Sequence, residues 1–288
     1  MDTALEVAGV GKKYKGFTLK DVSFRLPRGT IMGMVGPNGA GKTTLIKLIL
    51  NLVRRASGEI RVFGLDNIRR EAEVKARIGF VHETPRFCED SLLKDIKAAV
   101  APFYPGWNET LCRSLLKEFD LDPSKKFKTL SHGMKMKFQL ALALSHDADL
   151  LLLDEPTAGL DPVFRRELLE RLSGILQDEG KAVLFSTHIT TDLERTADWI
   201  TFIHNGRVVF SLPKDEIRET WGVVKGPNDI LPGRDIGRFR GLRQTSFGFE
   251  ALTDDIPAAR RAFGPSAVID RASVEDIMIH FAGRESHA

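Results

Sequence analysis

A glycine-rich loop near the start of the sequence has the residue types and spacing of a phosphate-binding site. Residues 36–43 match the pattern G-x-x-x-x-G-K-[ST], and they lie between a predicted buried strand, 31–35, and a predicted helix, 43–53. Glycines let the backbone fold tightly enough for successive N–H groups to face phosphate oxygens, and the helix N-terminus adds positive potential. The pattern predicts that Lys42 reaches the β- and γ-phosphates and that the Thr43 hydroxyl binds Mg²⁺.

Two adjacent carboxylates follow a second apolar run. Residues 150–153 are four leucines, and Asp154 and Glu155 come directly after them. A strand that ends in aspartate can place that carboxylate beside the phosphate loop, where it holds Mg²⁺. Glu155 is then well placed as the general base for an attacking water. Alone, such a pair is more often a solvated strand end, but together with the phosphate loop it predicts a nucleotide-hydrolysing site.

These residues need a sheet that brings its strand ends together. The short apolar runs 31–35, 150–153 and 182–185 are typical of central parallel strands. Residues 163–177 carry a broad apolar helical face between two of these runs. The alternation of strands and helices predicts an α/β fold.

Two regions depart from that alternation. Prolines punctuate the region that begins near residue 85, and its apolar spacing predicts a mostly helical insertion over about residues 85–145. Residues 222–288 show a weaker pattern and are predicted to form a small C-terminal accessory domain after a nucleotide-binding domain of residues 1–221. Within this second domain, residues 273–276 have the form of a capping box that begins a last helix.

The composition argues against several other classes of protein. The 288 residues include 42 Lys and Arg against 39 Asp and Glu, and this near balance gives no reason to expect a general nucleic-acid or lipid-binding surface. Cys88 and Cys112 are too few for a disulfide framework or a cysteine-built zinc site. The first residues lack the features of a signal peptide, and no window reaches about 18 uninterrupted apolar residues. These features predict a reduced, cytosolic protein.

Further motifs make the sequence resemble the ATP-binding subunit of an ABC transporter over about residues 4–220. Residues 130–134 read LSHGM and stand where that family has its LSGGQ signature. Residues 158–161 resemble its D-loop, and residues 186–188 resemble the strand end that carries its switch histidine. Tyr14 stands where the family usually stacks an aromatic ring on adenine. The order and spacing of all these motifs together make the resemblance specific.

The resemblance implies a P-loop NTPase core with a mostly helical signature subdomain and a small appended domain, and it implies ATP hydrolysis with Mg²⁺. The residues implied to carry the chemistry are Lys42, Glu155 and His188. The residues implied to hold Mg²⁺ are Thr43, Glu83 and Asp154. The residues implied to bind ATP are Tyr14, Gly36, Asn38, Gly39, Ala40, Gly41, Lys42, Thr43, Thr44, Ser131, Gly133 and, at the dimer contact, Asp161.

Two places depart from the family pattern. In the signature, His132 replaces the first glycine and Met134 replaces the glutamine, whereas Ser131 and Gly133, which the family uses to touch the γ-phosphate from the opposite subunit, are kept. Glu83 stands where the family has the glutamine of its Q-loop. A carboxylate keeps an oxygen that can face Mg²⁺ or its water, but it loses the amide donor and adds negative charge near the phosphates. We expect Mg²⁺ binding to survive this change.

The resemblance also implies partners. Two copies of the chain, or the chain and a close relative, would sandwich ATP, each giving its phosphate loop to one site and its signature to the other. Residues 103–107 and 130–137 look closest to a bacterial subgroup of exporter-type ATPases, in which a separate transmembrane permease is the partner. We therefore expect a peripheral protein on the inner face of the cell membrane, without direct nucleic-acid contact. The alternative is a soluble ABC ATPase that acts on an assembly or nucleic-acid complex.

The aromatic residues of the insertion leave two interpretations open. Phe87, Phe103, Tyr104 and Trp107 either form the core of the insertion or line a hydrophobic cleft that receives a helix of the membrane partner. Cys112 shares an apolar helical face with neighbouring leucines and is predicted to be a small core residue.

Overall fold

The computed structural model describes residues 2–231 and 239–282, and the chain divides into two compact units, Met1–Ser211 and Leu212–Ala288. The predicted domain boundary, after residue 221, lies within the second of these units. All the motifs of the phosphate site lie in the first unit. Among the described residues, no helix is both long enough and apolar enough to cross a membrane.

The first unit is built on two β-sheets. Numbered along the chain, its strands are β1 (Thr3–Tyr14), β2 (Phe17–Pro27), β3 (Ile31–Val35), β4 (Ser57–Val62), β5 (Leu65–Asp66), β6 (Ile78–Val81), β7 (Leu150–Asp154), β8 (Ala182–Thr187), β9 (Trp199–His204) and β10 (Arg207–Pro213), of which the last two residues are counted with the second unit. One sheet has the order β10-β9-β3-β8-β7-β6, and the other has the order β2-β1-β4-β5. The alternating helices of the unit are α1 (Lys42–Ile49), α2 (Glu71–Ala76), α3 (Leu93–Val100), α4 (Glu109–Glu118), α5 (His132–Leu144), α6 (Pro162–Ile175) and α7 (Thr190–Thr196).

The larger sheet brings three motif-bearing strand ends to one edge. Strands β3, β7 and β8 are the apolar runs that the sequence predicted, and all their residues are buried. They are parallel to one another, with Val35 paired to Thr187 and Asp154 paired to Ser186. The phosphate loop and the segments that follow Asp154 and Thr187 therefore leave the sheet side by side, which is where open α/β sheets bind ligands. The predicted α/β class is confirmed.

The region between β6 and β7 is mostly helical, as predicted. It contains α3, α4 and α5, and its core is aromatic. Phe127 and Phe138 are fully buried, and the Phe87 ring contacts both, with centroid separations of 5.4 Å and 5.9 Å. Cys112 is fully buried on α4, so its predicted place in a core is confirmed.

The smaller sheet of the first unit was not predicted from the sequence. Its longest strand, β1, pairs antiparallel with both β2 and β4, and the register shifts along both pairings. Each shift moves side chains from one face of the sheet to the other, so no clean two-residue alternation survives in the sequence. The sheet nevertheless matters for the site, because the β1–β2 hairpin lies at the nucleotide cavity described below.

The second unit is an antiparallel sheet with helices. Its elements are α8 (Lys214–Thr220), β11 (Gly222–Gly226), β12 (Arg240–Thr245), β13 (Gly248–Thr253), α9 (Ile256–Phe263), β14 (Val268–Arg271) and α10 (Val274–Ala282), and its sheet order is β12-β13-β11-β14. The predicted capping box begins α10, because Asp276 N donates to Ser273 Oγ at 3.0 Å and Ser273 N donates to Asp276 Oδ2 at 2.9 Å. Residues 283–288, at the end of the predicted accessory domain, lie outside the described residues.

Candidate functional site

The phosphate loop runs from the end of β3 to the first turn of α1, and its glycines are required by its path. A Cβ on Gly36 would overlap the carbonyl oxygen of Ile203. Gly41 has a φ of +114°, and a Cβ there would lie 2.6 Å from Leu19 Cδ2. The loop therefore passes too close to its neighbours for any side chain at these two positions.

Lys42 places its ammonium group inside the loop. Its Nζ donates to the carbonyl oxygen of Gly36 at 2.8 Å and lies 3.4 Å from Glu155 Oε1. Both charged side chains are less than a tenth exposed. The ammonium group is thus held by one carbonyl and one carboxylate at the place where anionic ligand oxygens would enter.

Asp154 provides an oxygen that suits a divalent cation. Its Oδ1 accepts hydrogen bonds from Ser186 Oγ at 2.7 Å and from Thr43 Oγ1 at 3.2 Å. Its Oδ2 is buried and has no hydrogen-bond partner in the described part of the chain. A buried carboxylate oxygen without a partner is costly unless a cation or proton joins it. The Asp154–Thr43 pair therefore fits the hard, oxygen-ligated Mg²⁺ ion that the motif predicts.

Glu155 is fixed from several directions. It adopts a left-handed backbone conformation with a φ of +49°, and its N–H donates to Ser186 Oγ at 3.0 Å. Its Oε2 accepts from the backbone N–H of His188 at 3.2 Å and lies 2.8 Å from His188 Nδ1. The carboxylate is thus held in one orientation beside the phosphate loop, as a general base must be. The left-handed backbone stores strain that this network maintains.

A cavity of about 540 Å³ gathers most of the sequence-predicted residues. Its lining includes Glu83, Glu155 and His188 together with residues 37–43 of the phosphate loop and Thr44. The predicted residues that are not among the described residues lining it are Tyr14, Gly36, Ser131, Gly133, Asp154 and Asp161; Asp154 contacts the lining residue Thr43. The cavity therefore contains the phosphate and base chemistry but not the signature of its own chain.

Phe17 lines this cavity and was missed by the sequence reasoning. It faces Tyr14 across the turn of the β1–β2 hairpin, since the two residues are register partners. The Tyr14 ring is 41% exposed, and the ammonium of Lys12 lies 5.2 Å from its centroid. The signal that could have found Phe17 is that it is a second aromatic residue three positions after Tyr14, directly after Gly16, which also lines the cavity.

The signature and D-loop residues begin helices. Ser131 caps α5 by accepting from Met134 N at 3.2 Å, and Gly133 lies in its first turn. Asp161 caps α6 by accepting from the N–H groups of Val163 and Phe164 at 3.1 Å and 3.0 Å. Asp161 therefore serves as the N-cap of α6, in addition to any role at a subunit contact. Its position directly before an apolar helix could have indicated this capping role.

A second cavity, the apolar groove, adjoins the residue before Glu83. It has a volume of about 430 Å³, and its walls include Leu52, Phe87, Val100 and Tyr104. Phe87 and Tyr104 thus fit the cleft interpretation, and Phe87 also belongs to the aromatic core. Phe103 is outside this lining and is 78% exposed.

The histidines of the apolar groove are held neutral. Burial lowers the pKa of His82 and lowers the pKa of His146 to about 4, and the His146 ring stacks on Tyr104 at 3.8 Å. Burial also raises the pKa of Tyr104. The cationic side chains at the groove are those of Lys47 and Arg86. At neutral pH the groove is therefore a largely apolar surface whose charged lining residues, Lys47 and Arg86, are both cationic.

Gln139 of α5 holds the backbone between the two cavities. Its Nε2 donates to the carbonyl oxygen of His82 at 2.9 Å, and its Oε1 accepts from His82 N at 3.1 Å. The Gln139 side chain is buried. The helical insertion is thus attached to the strand end that precedes Glu83.

We expect Gln139→Leu to lower the free energy of unfolding by about 2 kcal/mol, because it leaves a backbone donor and acceptor of His82 without their partners. Denaturant unfolding measures this value. Gln177→Leu, an exposed position after α6, is the matched control and should change it little. Equal effects of the two substitutions would show that the paired amide is not stabilising.

Known proteins resemble the chain along most of its length. The family model described as ABC transporter matches residues 19–158. The Nod factor export ATP-binding protein I of Paraburkholderia xenovorans is 36% identical over 301 residues, covering 99% of this chain and 98% of that protein. The protein of the same name from Rhizobium johnstonii is 30% identical over 298 residues, covering 98% and 96%. A solved structure of an ATP-binding subunit of an ABC transporter is 33% identical, with a TM-score of 0.69, and covers 75% of this chain and 92% of that one.

Proposed function

The chain belongs to the ABC transporter family of ATP-binding proteins and hydrolyses ATP, and from this premise we propose that it dimerises around ATP and Mg²⁺ to drive export through a separate membrane permease. The observation that carries the proposal is that Lys42 and Glu155 line one cavity, and that Asp154 accepts a hydrogen bond from Thr43 of the same lining. Phosphoryl transfer to water needs charge neutralisation, a metal ligand and an oriented base, and these three residues provide them. Docked on its permease, the subunit lies on the inner face of the cell membrane.

The proposed roles follow from the contacts. Lys42 exchanges its contacts with Gly36 and Glu155 for phosphate oxygens when ATP enters. Thr43 and Asp154 would hold Mg²⁺, together with Glu83, which also lines the cavity, and Mg²⁺ would supply positive charge that offsets the charge of the phosphates. Glu155 takes a proton from the attacking water.

Two further sets of residues complete the proposed roles. His188 orients the Glu155 carboxylate through the 2.8 Å contact and touches the γ-phosphate. The β1–β2 hairpin, with Tyr14 and Phe17, contacts the adenine ring.

The proposed dimer completes each site. Ser131 and Gly133 lie outside the cavity that their own chain's phosphate loop lines. In a head-to-tail dimer they contact the γ-phosphate held by the partner, with Asp161 near the subunit contact. ATP then stabilises the closed dimer through contacts that are lost after hydrolysis.

The apolar groove is the proposed docking site for the permease. Its uncharged walls suit the apolar face of a helix, and Lys47 and Arg86 suit acidic residues beside that face. Export is proposed as the direction because the two relatives reported above, which match nearly the whole chain, are named for export.

Copurification tests the permease proposal. We expect the tagged chain, solubilised from membranes of its host, to retain an integral membrane protein with several spans of about 20 apolar residues each. Leu52→Glu places a charge on the exposed wall of the groove and should reduce recovery of that protein about tenfold, the effect of roughly 1.4 kcal/mol in binding. Its basal ATPase activity should be unchanged.

Ile68→Glu is the control, because Ile68 is also partly exposed but lies outside the groove. Ile68→Glu should recover as much of the membrane protein as the wild type does, whereas Leu52→Glu should recover less, and the two variants should have equal basal ATPase activity. Retention of ribosomal or nucleic-acid complexes in place of a membrane protein would favour the soluble alternative and contradict the proposal.

A further inference from the structure

The first turn of α5 contacts the loop that follows Glu155. His132 Nε2 lies 3.1 Å from the carbonyl oxygen of Ala158. A carbonyl oxygen only accepts, so the imidazole must donate an Nε2 proton, which both the Nε2–H tautomer and the imidazolium carry. The contact is therefore available whether the ring is neutral or charged.

Neighbouring residues show that this loop packs along the start of the helix. A Cβ on Gly159 would lie 3.4 Å from His132 Cδ2, and a Cβ on Gly133 would lie 3.6 Å from Leu160 Cδ2. Gly159 has a φ of +68°, which favours glycine. The LSGGQ pattern has glycine at position 132, and glycine has no side chain that could make the bond to Ala158. The contact is thus a property of the histidine that this chain carries.

We propose that His132 is a positioning residue that joins the γ-phosphate contact of one nucleotide site to the general base of the other. The inference rests on the dimer proposed above, in which Ser131 and Glu155 of one chain serve different sites. Ala158 N donates to the carbonyl oxygen of Glu155 at 3.2 Å, so one turn of backbone links the base to Ala158. The His132 side chain in turn links Ala158 to the start of α5, because His132 directly follows Ser131 in the chain.

This short path has a kinetic consequence. When Ser131 engages phosphate in one site, the start of α5 becomes fixed, and the bond from His132 fixes the loop behind Glu155. Without the bond, Glu155 would occupy its productive position less often, although ATP binding by the phosphate loop would be unchanged. Loss of the bond should therefore lower kcat and spare KM.

Substitutions of His132 test the inference. We expect His132→Leu, which keeps side-chain bulk but has no donor, to lower kcat for ATP about tenfold with KM within about twofold, the loss expected for one hydrogen bond. His132→Gln carries an amide N–H near the place of Nε2 and should restore most of the lost turnover. His132→Ala is a second donor-free variant, and Lys135→Ala, on the same turn without a D-loop contact, is the control.

Two outcomes separate the inference from the proposed function. In a Glu155→Gln background, His132→Leu should still form the ATP-dependent dimer on size exclusion. If that dimer forms but His132→Leu and His132→Ala, made alone, keep wild-type kcat, the positioning role of His132 is wrong and the dimer proposal stands. The same conclusion follows if His132→Gln restores none of the lost turnover. If Glu155→Gln alone stays monomeric with ATP, the dimer proposal fails and the inference fails with it.

Discussion

Replacing Glu155 with glutamine is expected to lower ATP turnover about a thousandfold while ATP still binds. The amide fills the same space between Lys42 and His188, but it cannot take a proton from water. Steady-state phosphate release measures the loss. Because ATP then persists, size exclusion should show a particle of twice the monomer mass when ATP is present, and the monomer when ATP is absent.

Glu179→Gln is the matched control for this experiment. It makes the same chemical change at an exposed position between α6 and β8. Its turnover should equal that of the wild type, and it should not trap a dimer. Turnover in Glu155→Gln within a few-fold of this control would show that another group acts as the base.

Replacing Asp154 with asparagine is expected to lower turnover at least about a hundredfold and to abolish the strengthening of ATP binding by Mg²⁺. Asp154 Oδ1 accepts from two hydroxyl groups, those of Thr43 and Ser186. The amide oxygen must take that position, so the amide NH₂ group points to where the unpartnered Oδ2 lies. A donor group at that position repels a cation.

Thermal unfolding in the presence of ATP, with and without Mg²⁺, measures the effect of Mg²⁺ on ATP binding independently of the turnover rate. The wild type should gain additional stability from Mg²⁺ in the presence of ATP, and Asp154→Asn should not. The control is Asp149→Asn, directly before the same strand, where the carboxylate pairs with Arg77. An unchanged Mg²⁺ effect in Asp154→Asn would place the ion elsewhere.

The parts of the structure that could be predicted are those marked by a pattern within a short stretch of sequence. Strands β3, β7 and β8 are short and wholly buried, so continuous apolar runs mark them. Parallel pairing then brings the phosphate loop, Asp154 and His188 to one edge without further information. The Lys42–Glu155 contact follows from the same topology, although the residues are far apart in sequence.

The parts that escaped prediction depend on long-range pairing. The register shifts of β1 remove the alternation that would reveal a strand, and the cavity role of Phe17 depends on that hairpin. The Gln139 side chain bonds the backbone of His82, which is 57 residues away in the chain. The sequence of an apolar helix that contains one buried glutamine does not indicate which residue that glutamine bonds. The N-cap Asp161 has a local signal, an aspartate directly before an apolar helix, although the same residue also belongs to the D-loop motif.

His82 and Glu83 are consecutive, yet one lines the apolar groove and the other lines the nucleotide cavity. The backbone between these two residues therefore lies between the apolar groove and the nucleotide cavity. Gln139 bonds both the N–H and the carbonyl oxygen of His82, so any displacement of this backbone segment would move the His82 and Glu83 side chains together. In the proposed complex, a permease helix in the groove would therefore contact the chain one residue away from the cavity that takes the phosphates.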